Sequence, residues 1–153
     1  MKVEYVNPFA AASFSVLEGL LGEKPLKGQL AMRPSCFTSQ QCNVITGVTG
    51  KIQGQVIYGM SLITADKIAS IMLGQPIRTF DQLAASAIAE MGNMISGNAM
   101  ALLSEAGYVC DITPPTIIRG TNVKISTLDI PALVIPICIE AGQIEVTVCL
   151  QEK

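Results

Sequence analysis

The chain has no histidine and no tryptophan, and only 14% of its 153 residues are charged. The absence of histidine removes Ser-His-Asp and Cys-His catalytic machinery and every His-ligated zinc site. Typical domains carry about 25% charged residues, so a surface this sparse in charge is expected to cover part of itself with a partner. Ten Lys and Arg against twelve Asp and Glu give a net charge of −2 with no basic run, which argues against nucleic acid as a ligand. No GxxxxGK[ST] or GxGxxG segment supports a phosphate-cradling loop. The five cysteines, Cys36, Cys42, Cys110, Cys138 and Cys149, form an odd set without a CxxC pair, and the expectation is reduced, mostly buried thiols and no metal site. No run approaches the 18 or so apolar residues of a membrane span, and Glu4 interrupts the start "MKVEYVNPFA", so the expected setting is cytoplasmic.

What is present suits one domain over residues 1–153, since about 100–200 residues is the usual size. "KVEYV" at 2–6 alternates like a short strand. Asn7, Pro8 and Gly22 then mark a helix over 8–21. "KGQLAMRP" and "CNVITGVTGKIQGQVIYGMS" read as strands joined by tight turns. Thr64 is the expected N-cap and Gly74 the stop of a second, short helix. Residues 80–106 form a long helix ended by Gly107. "NVKIS", "ALVIPICIEA" and "GQIEVTVCL" return to strand, with a hairpin turn at Ala141-Gly142 and an edge or bulge at Pro136. The order suggests a loosely repeated unit of one long helix followed by strands. The expected class is α+β, a mostly antiparallel sheet with two long helices packed on it.

The long helix carries an unusual stretch, "SAIAEMGNMISGNAM" at 86–100. Interior glycines cost about 1 kcal/mol each relative to alanine, so something other than helix stability accounts for them. At about 3.6 residues per turn, Ser86, Glu90, Asn93 and Gly97 fall within an arc of roughly 60°. Ala84, Ile88, Met91, Ile95, Ala99 and Leu102 gather opposite, on the face expected to pack on the sheet. The Glu/Asn stripe therefore points outward. Such residues are ordinarily just solvated; here the flanks are poor in charge, and Gly92 and Gly97 lower the helix surface, which suits close approach of another body or of a neighbouring helix. Asn98 lies round the helix from Asn93 and is left out of the stripe. Met91, Met94 and Met100 read as core filling.

The spacing Ser86-x3-Glu90-x2-Asn93-x22-Pro115 resembles the signature of the CheC/CheX/FliY family of chemotaxis phosphatases, which reads Asp or Ser, Glu, Asn and a distant Pro. "NPFAAASFSVLEGLLG", "GKIQGQVIYGMS" and "TADKIASIMLG" extend the likeness over nearly the whole chain. Members resembling CheC carry the motif twice; on the first helix here Ser15, Gly19 and Gly22 stand at that spacing, without Glu or Asn. A single motif and this length resemble CheX.

The resemblance implies a protein aspartyl-phosphate phosphatase acting on a phosphorylated CheY-like response regulator. In that reading Asn93 orients the attacking water, as a glutamine does in small GTPases, and Glu90 anchors to the receiver's active-site lysine. Ser86, Gly97 and Pro115 would be receiver-binding. Ser86 either extends the contact or ties back to its helix, and Pro115 either shapes the adjoining loop or is a simple turn former. The chain would need no cofactor of its own, with Mg²⁺ carried by the receiver. The alternative is a non-catalytic receiver-binding scaffold or flagellar switch component. A homodimer is expected, pairing "ALVIPICIE" or "GQIEVTVCL" across a two-fold axis.

Overall fold

In the computed structural model, which describes residues 2–127 and 130–153, the first helix begins earlier than expected. α1 spans Val3–Leu21 and takes in the segment read as a strand, with Pro8 inside it. Tyr5, Val6, Phe9, Ala10, Ser13, Val16 and Leu17 are all buried, a helical stripe that starts before the proline. Pro8 forfeits the bond to the Glu4 carbonyl. Burial of large apolar side chains on either side of it, about 1.5–3 kcal/mol each, outweighs that loss. Gly22 closes the helix in the left-handed conformation, its N–H donating to the Glu18 carbonyl.

The strands that follow are β1 (Leu26–Lys27), β2 (Ala31–Arg33), β3 (Cys36–Thr38), β4 (Cys42–Gly50) and β5 (Ile52–Met60). α2 (Leu62–Leu73) is capped by Ser61, whose Oγ accepts from the Thr64 N–H, and not by Thr64. Thr64 is instead buried, its hydroxyl donating to the Ala141 carbonyl. α3 (Gln82–Glu105) is capped by Asp81, which accepts from the Ala84 N–H. The chain finishes with β6 (Cys110–Ile112), β7 (Thr116–Arg119), β8 (Lys124–Ser126), β9 (Ala132–Ile139) and β10 (Gly142–Glu152).

All pairings among the described strands are antiparallel, and the main sheet runs β1–β9–β10–β5–β4–β6, with β2 continuing β1 along β9 and β7 continuing β6 along β4. Alternate residues of the central strands, Val56, Tyr58 and Met60 on β5 and Ile144, Val146, Val148 and Leu150 on β10, meet the helices in one core. The opposite face is covered by the β3–β8 ribbon, where Phe37, Ile57 and Ile125 form a smaller cluster.

The two halves of the chain are related by an internal pseudo-two-fold. β5 pairs with β10, Val56 opposite Val148, and β3 pairs with β8, Phe37 opposite Ile125. β4 and β9 flank that centre, and each edge is a broken strand, β1/β2 on one side and β6/β7 on the other. Pro136 faces the break between β1 and β2, where the Gly28 N–H donates to its carbonyl at 2.8 Å. Its missing N–H thus falls where no ladder bond is required. The opposite break is bridged by Thr113, whose N–H donates to the Gly47 carbonyl at 2.9 Å while its Oγ1 accepts from the Gly47 N–H at 2.8 Å.

The edge assignment made for the last two strands does not hold. β10 lies between β5 and β9, and β9 lies between β10 and β1/β2. Their hydrogen-bonding sides are occupied within the chain.

Candidate functional site

α3 presents its polar stripe outward. Ser86, Glu90 and Gly97 are exposed and Asn93 is half-buried, while Ala84, Ile88, Met91, Ile95 and Ala99 are fully buried behind them. Leu102 is only half-buried; Leu103, one residue on, fills the core in its place. The shift follows from the helix period, which drifts past a fixed spacing over more than four turns. Side-chain hydrogen bonds on α3 are made at its start and within its buried side: Asp81 caps the first turn, and Ser96 Oγ meets Tyr58 Oη at 2.7 Å. Among the described residues Ser86, Glu90 and Asn93 have no side-chain hydrogen-bond or ion-pair partner, so Ser86 does not tie back to its helix.

The two glycines serve opposite faces. Gly92 is buried against the sheet, where an added Cβ would lie 2.7 Å from Val44 Cγ1 and 3.3 Å from Tyr58 Cδ2. It lets the helix backbone approach β4 and has no part in an outer surface. Gly97 has nothing within 4 Å of the position a Cβ would take. It leaves a shallow, open place beside Glu90 and Asn93.

The methionines divide as well. Met91 is core and Met100 half-buried, but Met94 is 36% exposed, and Leu83 on the same side of the helix is 49% exposed. Reading all three methionines as filling missed this; the signal was the position of Met94 next to Asn93, off the buried stripe. Asn98 lies in a groove against α1, with Ala11, Ala12 and Ser15.

Pro115 is half-buried in the break between β6 and β7, two strands that both pair with β4 and pack on α3. With Pro114 it contributes two residues lacking an N–H where the edge strand leaves the ladder. The structure therefore brings Ser86, Glu90, Asn93 and Gly97 together on one helix and places Pro115 on the neighbouring sheet edge.

The stretch of α1 compared with the motif is displaced from its true counterpart. The pseudo-two-fold matches Tyr5, Val6, Phe9, Ser13 and Leu17 of α1 with Met91, Gly92, Ile95, Ala99 and Leu103 of α3, buried residue for buried residue. That register carries Glu4 onto Glu90 and Asn7 onto Asn93, not Gly19 and Gly22. The Glu-x2-Asn spacing at the start of the chain was visible in the sequence, but with 2–6 read as a strand it fell on no helix.

Chemically, the site is a carboxylate and a carboxamide one turn apart, their Cβ atoms about 5–6 Å from each other, on a rigid helix. The carboxamide offers both a donor and an acceptor to a single small group, and the carboxylate offers acceptors to a cation or N–H. Among the described residues no group of three or more His, Cys, Asp or Glu is placed to hold a metal, and no described helix is long and apolar enough to cross a membrane.

The comparisons with known proteins agree with this geometry. Residues 42–138 match the family model described as chemotaxis phosphatase CheX. The CheY-P phosphatase CheX of Thermotoga maritima is 33% identical over 131 residues, 85% of this chain and 84% of that protein. The crystal structure of a chemotaxis protein CheX from Desulfovibrio desulfuricans superposes with a TM-score of 0.88 at 30% identity, covering 97% of this chain and 100% of that one. The CheX chain crystallised with CheY, BeF₃ and Mg²⁺ from Borrelia burgdorferi superposes with a TM-score of 0.86 at 33% identity, covering 99% and 100%. The chain belongs to the CheX family of chemotaxis phosphatases.

Proposed function

We propose that this chain hydrolyses the aspartyl phosphate of a CheY-like response regulator, in the cytoplasm, as part of bacterial chemotaxis. The observation that carries the reading is the outward Glu90–Asn93 pair, without internal partners among the described residues and set on a well-packed helix, in a chain 33% identical to a CheY-P phosphatase. Hydrolysis of an aspartyl phosphate proceeds by in-line attack of water, so catalysis is chiefly positioning and stabilisation of charge. Asn93 supplies the positioning: its carbonyl accepts from the water while its NH₂ donates to a phosphoryl oxygen. Glu90 anchors the helix through a charge-assisted contact to the receiver's lysine. Gly97 and the exposed Ser86 leave room for the receiver, and Pro115 shapes the sheet edge beside it. Mg²⁺ enters with the receiver, since the chain is assigned no metal of its own.

The experiment is to phosphorylate purified CheY-like receivers, add the chain in substoichiometric amount, and time phosphate loss. Turnover with at least one receiver supports the reading. Tight binding without acceleration would make the chain a scaffold.

A further inference from the structure

The correspondence between the two halves repeats the Glu-x2-Asn spacing on the outward face of both long helices. Glu4 and Asn7 are exposed, as Glu90 is, and sit one turn apart on α1 as Glu90 and Asn93 do on α3. Their neighbours differ. Tyr108 Oη donates to Glu4 Oε1 at 2.9 Å. The Tyr108 ring is in turn fixed from two sides. Tyr5 packs edge-on with ring centroids 5.3 Å apart, and Lys51 Nζ lies 5.6 Å over the ring while donating to the Gly107 carbonyl. Lys2 Nζ stands 4.0 Å from the same Glu4 oxygen and 3.6 Å from Glu152. The helix-stop glycines Gly22 and Gly107, both at positive φ, and the equivalent edge residues Gly28 and Thr113 make Glu23 the counterpart of Tyr108, and its carboxylate accepts from the Glu140 N–H instead. Among the described residues nothing equivalent reaches Glu90.

We propose that Glu4 and Asn7 form a second receiver-docking pair that Tyr108 holds closed, so that the chain engages one phosphorylated receiver, through α3, and gains a second on α1 only when the Tyr108 contact is removed. The inference rests on the reading of Glu90 and Asn93 given above. An anchor carboxylate is useful only if it is free to take the receiver's lysine, and a hydroxyl already bonded to it, with an ammonium beside it, competes directly for that role. A tyrosine on one side, where the other side carries Glu23 turned toward Glu140, thus closes one of the two pairs and leaves the other open.

The test titrates a CheY-like receiver loaded with beryllofluoride and Mg²⁺ into the chain by calorimetry. The parent should bind one receiver per chain and lose it on Glu90→Ala with Asn93→Ala. Tyr108→Ala should raise the stoichiometry to two, and Glu4→Ala with Asn7→Ala in that background should return it to one. Tyr108→Phe keeps the packing on Tyr5 and deletes only the hydroxyl, so it guards against a folding defect and should also show a second site. One receiver per chain in both Tyr108 variants would overturn the proposal, as would two on the parent. A parent that binds none would instead overturn the underlying reading of α3.

Discussion

Gly92 and Gly97 are the same residue less than two turns apart on one helix, and they answer to different constraints. Gly92→Ala forces a methyl into Val44 and Tyr58 and should destabilise the fold by about 1–3 kcal/mol, read as a lower urea midpoint. Gly97→Ala meets nothing and should gain about 1 kcal/mol of helix stability. In the docking proposed above Gly97 faces the receiver, so the same change should weaken binding of the receiver; unaltered binding would remove Gly97 from that surface. The cysteines also separate by environment. All five are free, but only Cys42 and Cys149 are buried; Cys110 is half-buried and Cys36 and Cys138 are exposed, so the expectation of mostly buried thiols was wrong for the last two. Burial pushes the Cys42 and Cys149 thiols up to about 11. Labelling at pH 8 should modify Cys36 and Cys138 quickly and Cys42 and Cys149 only on unfolding. The two buried thiols keep protons in the folded state that the unfolded chain releases from about pH 9, the ordinary value for a thiol being 9.0. Their contribution to stability is therefore complete below pH 9 and is lost as pH rises toward 11. A denaturant midpoint that stays level across that window would contradict it.

The elements show what a sequence reveals by itself and what only packing decides. α3 was legible over nearly its whole length because a buried face of Ala84, Ile88, Met91, Ile95 and Ala99 repeats at helical spacing, and its outward Glu90 and Asn93 followed from the same periodicity. The Gly22 and Gly74 helix stops were equally local, and the last hairpin was legible with its turn expected one residue late, at Ala141-Gly142 where the structure turns at Glu140-Ala141. The start of α1 was not. Five residues of "KVEYV" satisfy strand alternation as well as one helical turn, Pro8 imitates a helix start, and only the core waiting for Tyr5 and Val6 separates the two. The positions of β9 and β10 inside the sheet were beyond local reading for another reason: they depend on β1, β2 and β5, which lie far away in the chain. Misplacing α1 also hid the second Glu-x2-Asn pair. At this scale, Glu90→Ala should weaken docking as well as rate, because it removes the proposed anchor, and should leave the unfolding free energy within about 0.5 kcal/mol of the parent, since the side chain is exposed.

In the whole molecule the pseudo-two-fold leaves two broken edges as the only unpaired margins of the main sheet among the described strands, β1/β2 and β6/β7. The expected homodimer therefore cannot use β9 or β10. We place its contact on the β1/β2 edge, where Leu26 is 71% and Met32 66% exposed. Leu26→Lys with Met32→Lys should convert a dimer to monomer in sedimentation, and a parent that is monomeric at micromolar concentration would remove the dimer altogether. Chelating Mg²⁺ should stop turnover while leaving the circular dichroism of this chain unchanged, since the metal is assigned to the receiver. The phosphatase assignment itself is tested most directly by single-turnover loss of phosphate from a phosphorylated CheY-like receiver, comparing the parent with Asn93→Ala. The water-orienting role proposed for Asn93 is exercised in the transition state, so the substitution should lower the rate by about 100-fold or more while binding of the beryllofluoride-loaded receiver is retained. Equal rates for the two proteins would contradict the mechanism.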